Sequence, residues 1–356
     1  MVSRANLPTM RPELPPASLR LSVDRQVLAA NWRALDRLSG RASAGAAVKA
    51  DAYGIGVATV VPVLRDAGCR DFFVAHWQEV PGLLDHAAPG AIAVLHGPIT
   101  PADAAFAHAA RVRPVINSLP QAQLWLDAGG GACDLMVDTG INRIGLALAD
   151  LSDPLLKRLA VDVLHSHLAS ADEDSALNAA QQSRWNAARG MVQHKRASLA
   201  NSAGITLGPD YHGDLTRPGL ALYGGVPCAA LASQIQQVIA PEAALIQVRT
   251  IAAGESVGYN ATFVAEREMR IGVISLGYAD GYLRVWSGMG MLRHNGRAIP
   301  VIGRVSMDMT VVDLTNAPDL REGDWLRVDY SLPEAAQETG LSQYELLTLL
   351  GRRFTR

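Results

Sequence analysis

This sequence holds few of the marks that would send it to a membrane, a nucleic acid or an oxidising compartment. Its 32 lysines and arginines almost balance 34 aspartates and glutamates, leaving a formal net charge of −2. Such a balance builds neither a nucleic-acid groove nor a surface for anionic lipid. Cys69, Cys133 and Cys228 form an odd, widely spaced set without disulfide or metal-ligand spacing, which fits a reducing cytosol. No apolar run approaches the roughly 20 residues of a membrane span. The opening Met1–Pro16 carries four prolines and no apolar core. It therefore reads as part of a mobile tail over residues 1–20, not as a signal peptide. Internal repeats, low-complexity stretches and long linkers are missing too. The expectation is a soluble, cytoplasmic protein that binds no metal, nucleic acid or membrane.

What is there describes a large core. Apolar residues make up 49% of the chain and charged residues 19%, the balance of a globular protein. At 356 residues two domains are the natural expectation. From about Leu21 to Ala240, short apolar runs alternate with amphipathic stretches. Eight of the runs read as strands: 46–50, 71–76, 91–96, 112–117, 133–138, 161–168, 196–201 and 214–223. Val57–Ala67, Pro101–Ala110 and Asp174–His194 read as helices between them. The alternation predicts an α/β fold, a closed (β/α)8 barrel of the TIM type over residues 21–240. An open doubly wound sheet is the rival. The first strand–helix turn, Lys49-Ala50-Asp51-Ala52-Tyr53-Gly54-Ile55-Gly56, lacks the G-x-G-x-x-G fingerprint that rival would bring. Beyond residue 241, β-like runs separated by glycine and polar turns predict a second, mainly β domain over 241–356. Helical period returns only in Pro333–Leu350.

Barrel enzymes carry their chemistry on the loops after the carboxyl ends of the strands. Those positions hold Lys49 and Tyr53, His76, His96, Asn117, Asp138 to Arg143, His167, Asn201-Ser202 and Arg217 to Tyr223. Lys49 is the most informative. A lysine at the lip of an apolar strand is partly desolvated, which lowers its pKa, and a neutral amine is what a Schiff base requires. Taken alone it reads equally as a strand-end lysine that snorkels to solvent. Barrels often bind phosphate after strands seven and eight. There Ser202 offers a hydroxyl and an amide, and Gly219 a backbone open to an anion. Ser202 by itself could also simply cap a helix. A Schiff-base lysine after strand one and a phosphate cradle after strands seven and eight point to one cofactor, pyridoxal 5′-phosphate.

Seven motifs follow one another along the chain. They are Val48 to Gly54 (VKADAYG), Asp138 to Gly145 (DTGINRIG), Ser166 to Asp172 (SHLASAD) and Arg217 to Gly224 (RPGLALYG), then Gly258 to Phe263 (GYNATF), Leu276 to Gly281 (LGYADG) and Gly303 to Asp308 (GRVSMD). In these the chain closely resembles the alanine racemases, pyridoxal-phosphate enzymes with an N-terminal barrel and a C-terminal β domain. The resemblance implies interconversion of L- and D-alanine by two bases, supplying D-alanine for peptidoglycan. It implies that Lys49 holds the cofactor and serves as one base. Tyr259, on the β domain of the partner in a homodimer, would be the other. Arg143 would hold the substrate carboxylate or the cofactor's 3-oxygen, and the Met307 amide would meet the carboxylate. Tyr53, Ser202 and the Gly219-Leu220 backbone would hold the phosphate, and Arg217 would face the pyridine nitrogen. His167 would lie between Arg217 and Tyr259, with Tyr278 and Asp308 in support.

Elementary chemistry fits those roles. Racemisation removes a proton from one face of an α-carbon and returns it on the other, so two bases must flank that carbon. A phenol, with a reference pKa of about 10, is a poor base unless nearby positive charge favours phenolate. A His–Arg pair behind Tyr259 would supply that charge. Guanidinium keeps its proton, so Arg217 would leave the ring nitrogen unprotonated and the ring a weaker electron sink.

Two positions depart from the family pattern. Many members carry a carbamylated lysine two residues before Asp-Thr-Gly, where this chain has Met136. Arg143 then needs another anionic partner, a bound chloride or a carboxylate. Many members also use a further tyrosine near the C-terminus on the phosphate, and the run Tyr344-Glu345-Leu346-Leu347 is read as lacking it. Three rival functions are weaker. A barrel-type decarboxylase has no use for Tyr259. The broad-specificity racemases, acting on serine or others, resemble secreted proteins. A non-enzymatic cofactor carrier of this barrel type would lack residues 241–356.

Overall fold

The computed structural model describes residues 14–355. Of the expected mobile tail, residues 1–13 lie outside the described residues. The strand β1 (Leu19–Val23) begins inside the rest of it. After helix α1 (Arg25–Leu38) come β2 (Ser43–Ala44) and β3 (Ala46–Ala47), which are one strand broken at Gly45. A Cβ there would lie 2.9 Å from both the Asp71 carbonyl oxygen and the Phe73 ring, so the break keeps a glycine. From β3 the sheet runs in sequence order through β4 (Phe72–Val74), β5 (Ile92–Val94), β6 (Arg113–Ile116), β7 (Ala132–Met136), β8 (Ala160–His165) and β9 (Arg196–Ser198), every neighbour parallel. The last strand, β10 (Leu215–Thr216), pairs in parallel with β2. On its other side Arg217 N donates to Ala200 O at 2.8 Å and Asp214 N to Ala197 O at 2.7 Å. The broken first strand thus meets the eighth with one half and the second with the other, and the barrel closes.

The helices between strands are set by their caps. Asp24 accepts from the amides of Gln26 and Val27 to start α1. Between the barrel strands lie α2 (Lys49–Tyr53), α3 (Val57–Ala67), α4 (Val80–Leu84), α5 (Pro101–Ala110), α6 (Leu119–Asp127) and α7 (Ala176–Met191). Thr100 and Asp103 form a reciprocal capping box at α5, with Pro101 at the first turn, where its missing N–H costs nothing. Most strands are shorter than the sequence suggests, because only the rungs that pair with both neighbours stay extended. The stretch 161–168 leaves the sheet after His165, and 214–223 breaks into β10 and a single tight turn at Leu220–Tyr223. The expected strand 46–50 ends at Ala47.

The β region is built around β11 (Ile239–Ile251), which pairs with β1, β14 and β18. Leu19–Val23 therefore belongs to this sheet, antiparallel to β11, although it precedes the barrel in sequence. The short hairpin β12 (Ser256–Val257) and β13 (Phe263–Val264) presents Tyr259 in its turn. The rest of the sheet is β14 (Met269–Ile274), β15 (Met291–His294), β16 (Arg297–Ile302), β17 (Thr310–Asp313) and β18 (Trp325–Val328), before α8 (Leu332–Thr339) and α9 (Gln343–Thr348). One apolar cluster runs from barrel to β region. Inside the barrel a separate layer of Phe73, Ala93, Val115, Met136, Val163 and Leu215 floors the cavity described next. Among the described residues no helix is long and apolar enough to cross a membrane.

Candidate active site

Lys49 follows β3 after one residue, Val48, and stands, half-buried, on the wall of a cavity of about 560 Å³ at the carboxyl end of the barrel. Burial lowers its pKa below that of an ordinary lysine. Arg143 and Arg217 push the same way, against Glu79. The turn that follows is unusual. Ala50, Asp51, Ala52 and Tyr53 all take left-handed dihedrals, with φ of 54°, 54°, 54° and 57°. Each such residue costs about 1–2 kcal/mol. The turn is tied down at both ends: Glu79 accepts from the amides of Ala50, Ala75 and His76, and Asp51 Oδ1 accepts from Val57 N at 2.8 Å. Its effect is to bring Tyr53 back to the same cavity as Lys49.

Tyr53 is buried, and burial pushes its phenol well above the ordinary tyrosine value, with Tyr344 adding to the shift. It is therefore a hydrogen-bond donor at any physiological pH. Its hydroxyl points at Gly219, where an added Cβ would come within 2.3 Å of Oη. Ser202 Oγ accepts from Gly219 N at 3.0 Å and Ala221 N at 3.3 Å. A phenol, a hydroxyl and two amides thus converge on one corner. Tyr344 also lines the cavity, with its ring centroid 6.2 Å from that of Tyr53. The expectation that no tyrosine near the C-terminus reaches this corner is wrong. The first turn of α9 packs against α2 and supplies one.

Arg143 stands on a loop that Asp138 organises by accepting from the amides of Gly140, Ile141 and Asn142. Thr139 ties the loop to Ser166 through a 2.8 Å hydroxyl pair, and Arg184 donates to the Thr139 carbonyl. Asn142 at φ 53° and Gly145 at φ 125° make the bends. Met136 is 5% exposed and joins the apolar floor. Among the described residues no carboxylate forms a salt bridge with Arg143.

Arg217 is buried at the cavity base. It donates to Ser198 O at 2.8 Å, to Ser166 O at 2.5 Å and to His165 Nδ1 at 3.3 Å. Burial depresses its pKa to about 10, which still leaves a cation at neutral pH. His167 lines the cavity, and burial, Arg217, Arg143 and Lys49 depress its pKa to about 3. A neutral His167 supplies no positive charge, so the cationic support expected of a His–Arg pair rests on the arginine alone.

Two family models match the chain, "alanine racemase, N-terminal domain" over residues 23–227 and "alanine racemase, C-terminal domain" over residues 238–356. The chain belongs to the alanine racemase family. The alanine racemase of Acidiphilium cryptum is 42% identical over 349 residues, covering 94% of this chain and 97% of that protein. The biosynthetic alanine racemase of Agrobacterium fabrum is 40% identical over 366 residues, covering 96% and 93%. The crystal structure of the Bartonella henselae alanine racemase, with covalently bound pyridoxal phosphate, matches with a TM-score of 0.87 at 32% identity. That match covers 96% of this chain and 99% of the other. Alanine racemases are isomerases that depend on pyridoxal phosphate. The donor set here suits that cofactor: a lysine of lowered pKa, a guanidinium, and a protonated phenol beside a hydroxyl and two amides.

Eight of the residues that the alanine racemase pattern singles out meet on this cavity: Lys49, Tyr53, Arg143, His167, Ser202, Arg217, Gly219 and Leu220. Tyr259, Met307, Tyr278 and Asp308 do not line it within one chain. Tyr259 is 66% exposed and Met307 53%. Asp308 is held by Arg353, which also binds the buried Asp280. Sequence reading missed Tyr344, His165 and Asp134. For the last two a signal existed, since each interrupts an apolar barrel strand with a polar side chain.

Proposed function

We propose that this protein interconverts L- and D-alanine at the barrel cavity, with pyridoxal phosphate held by Lys49. The single observation that carries the reading is Lys49, with its lowered pKa, sharing a cavity with Arg217 and the Tyr53–Ser202–Gly219 corner. When bound, the cofactor supplies an electron sink that acidifies the substrate's α-hydrogen. Tyr53, Ser202, Gly219 and Leu220 would hold its phosphate, and Tyr344 would close that corner. Arg217 would face its ring nitrogen as a donor.

Lys49 Nζ moves the proton on one face of the α-carbon. Tyr259 Oη moves it on the other, from the partner subunit of a homodimer, because in its own chain Tyr259 stands exposed on a hairpin away from the cavity. Arg143 takes the substrate carboxylate together with the Met307 amide, and His167, Tyr278 and Asp308 support these groups. The same reading assigns cofactor binding to the barrel domain and the second base to the β domain, whose sheet takes in Leu19–Val23 and begins its main run at Ile239. It places the enzyme in the cytoplasm, where D-alanine is drawn off for peptidoglycan. The test is interconversion of L- and D-alanine by the purified protein with and without added cofactor. No interconversion by protein carrying one cofactor per chain would overturn the reading.

A further inference from the structure

Beneath the cavity floor the barrel carries an uneven set of charges, with Asp71, Arg113 and Asp134 buried and Asp162 and Arg196 partly so. Arg113 binds Asp71 at 3.0 Å, Asp134 at 3.1 Å and Asp162 at 3.8 Å. Arg196 binds Asp71 and Asp162 at 2.8 and 2.7 Å. Three carboxylates against two guanidiniums leave one negative charge in excess. Burying an uncompensated charge is costly, so a partner is required. Arg217 has the opposite problem. It is a buried cation, and its hydrogen bonds all end on neutral acceptors: His165 Nδ1, Ser198 O and Oγ, Ser166 O and Leu199 O.

One side chain joins the two. His165, fully buried at the end of β8, has Nε2 at 3.1 Å from Asp134 Oδ2 and Nδ1 at 3.3 Å from Arg217 Nη1. A guanidinium can only donate, and an ionised carboxylate can only accept. The tautomer is thereby fixed, with the proton on Nε2 and the lone pair of Nδ1 toward Arg217. A second proton would set two donors and two cations face to face. The groups around the imidazole agree. Burial, Arg217 and Arg113 lower its pKa and outweigh Asp134, while Phe73 covers it edge-on at 5.7 Å. Arg113 and His165 in turn hold the Asp134 carboxyl below its usual range despite burial.

We infer that the Asp134–His165 pair is the counter-charge and positioning device of Arg217, fixing how the guanidinium is presented to the cofactor's ring nitrogen. His165 touches neither substrate nor cofactor. It carries the excess negative charge of the network to Arg217, a buried cation that no carboxylate bonds directly. The inference rests on the cofactor assignment above for its consequence, but not for the geometry. Loss of His165 leaves the guanidinium on neutral oxygens alone, so it shifts and the ring nitrogen loses a well-placed donor.

The test uses holoenzyme reconstituted with pyridoxal phosphate labelled with 15N at the ring nitrogen, as wild type, His165→Phe and His165→Asn. Asparagine keeps an acceptor near the Nδ1 position, and phenylalanine keeps only the ring shape. The wild-type resonance should be that of an unprotonated, hydrogen-bonded pyridine. In His165→Phe it should move towards an unbonded pyridine, and in His165→Asn, which keeps the acceptor but not the link to Asp134, it should move less. An unmoved resonance in His165→Phe, or equal displacement in both variants, overturns the inference, since a merely structural histidine would not act through its acceptor. If His165→Phe does not fold, the wild-type imidazole decides. Its 15N signals should show a neutral ring protonated at Nε2 at neutral pH, and a proton on Nδ1 overturns the inference. Wild-type protein that takes up no cofactor would defeat the proposed function instead, and the imidazole tautomer can then still be read in the apoprotein.

Discussion

Tyr53 and Tyr344, from opposite ends of the chain, face one another across the cavity corner with ring centroids 6.2 Å apart. Tyr53 is delivered by a left-handed turn after the first barrel strand, and Tyr344 by the first turn of the last helix. Burial keeps the phenols protonated and so able to donate. A hydrogen bond to a charged group contributes about 1.5–3 kcal/mol. Tyr53→Phe and Tyr344→Phe should therefore each weaken cofactor retention roughly tenfold or more. Equilibrium dialysis of the holoenzyme against cofactor-free buffer measures this, and retention equal to wild type would remove that tyrosine from the phosphate corner.

Met136 gives a second expectation. It packs in a floor of Phe73, Ala93, Val115, Val163 and Leu215, so no carbamylated lysine is needed to complete the barrel interior. Activity should be the same in bicarbonate-free and bicarbonate-supplemented buffer. Met136→Lys places an ammonium in that apolar layer and should lower the melting temperature by about 5 °C. A thermal melt unchanged by the substitution would show that the floor is open to water.

Lys49 sets a pH dependence. Attack on the cofactor's carbonyl needs the neutral amine. Burial and Arg143 lower the amine's pKa, so its neutral fraction at a given pH exceeds that of a free lysine. The rate of cofactor uptake by apoprotein should rise with pH through a midpoint below the ordinary lysine value of 10.5. Arg143→Ala removes one of the cations and should move that midpoint upward. Stopped-flow absorbance over a pH series reads both, and a midpoint unmoved by Arg143→Ala would separate the two side chains electrostatically.

Much of this was legible in the sequence, for physical reasons. The barrel strands are short apolar runs bounded by helices with visible caps, as at Thr100-Pro101, and the alternation survives even where the paired rungs are few. The loops after the strands gave eleven cavity residues, because strand ends in a closed barrel converge by geometry. Other features were hidden. Nothing in Ala50-Asp51-Ala52-Tyr53 announces a left-handed turn, since these residues favour the right-handed one, and it is held by the Glu79 and Asp51 carboxylates together with the turn's own backbone hydrogen bonds. The exchange of Leu19–Val23 into the distant sheet depends on β11, more than two hundred residues further on. Tyr344 lies within the stretch Pro333–Leu350 that reads as one helix, where nothing marks it for the phosphate. Asp134 and His165 looked like breaks in apolar strands, and their meaning lies in charges from β6 and β9 that meet only once the barrel closes.

Tyr259 supplies a further test, because it stands exposed on its hairpin and does not line its own chain's cavity. Lys49→Ala and Tyr259→Phe subunits should each be inactive as homodimers. Co-expressed, they should regain activity in mixed dimers, each with one intact site. Activity is measured on heterodimers isolated through two different affinity tags. No recovery in such heterodimers would mean that one chain supplies both bases.

The central claim is that Lys49 is the residue that holds the cofactor, and borohydride reduction tests it most directly. The reduced holoenzyme is digested and its peptides are mapped by mass spectrometry. A pyridoxyl-phosphate mass on the peptide containing Lys49, at about one per chain and absent from Lys49→Ala, is the expected result. The same mass on another lysine, or none on any peptide of protein that carried cofactor before reduction, would contradict the account.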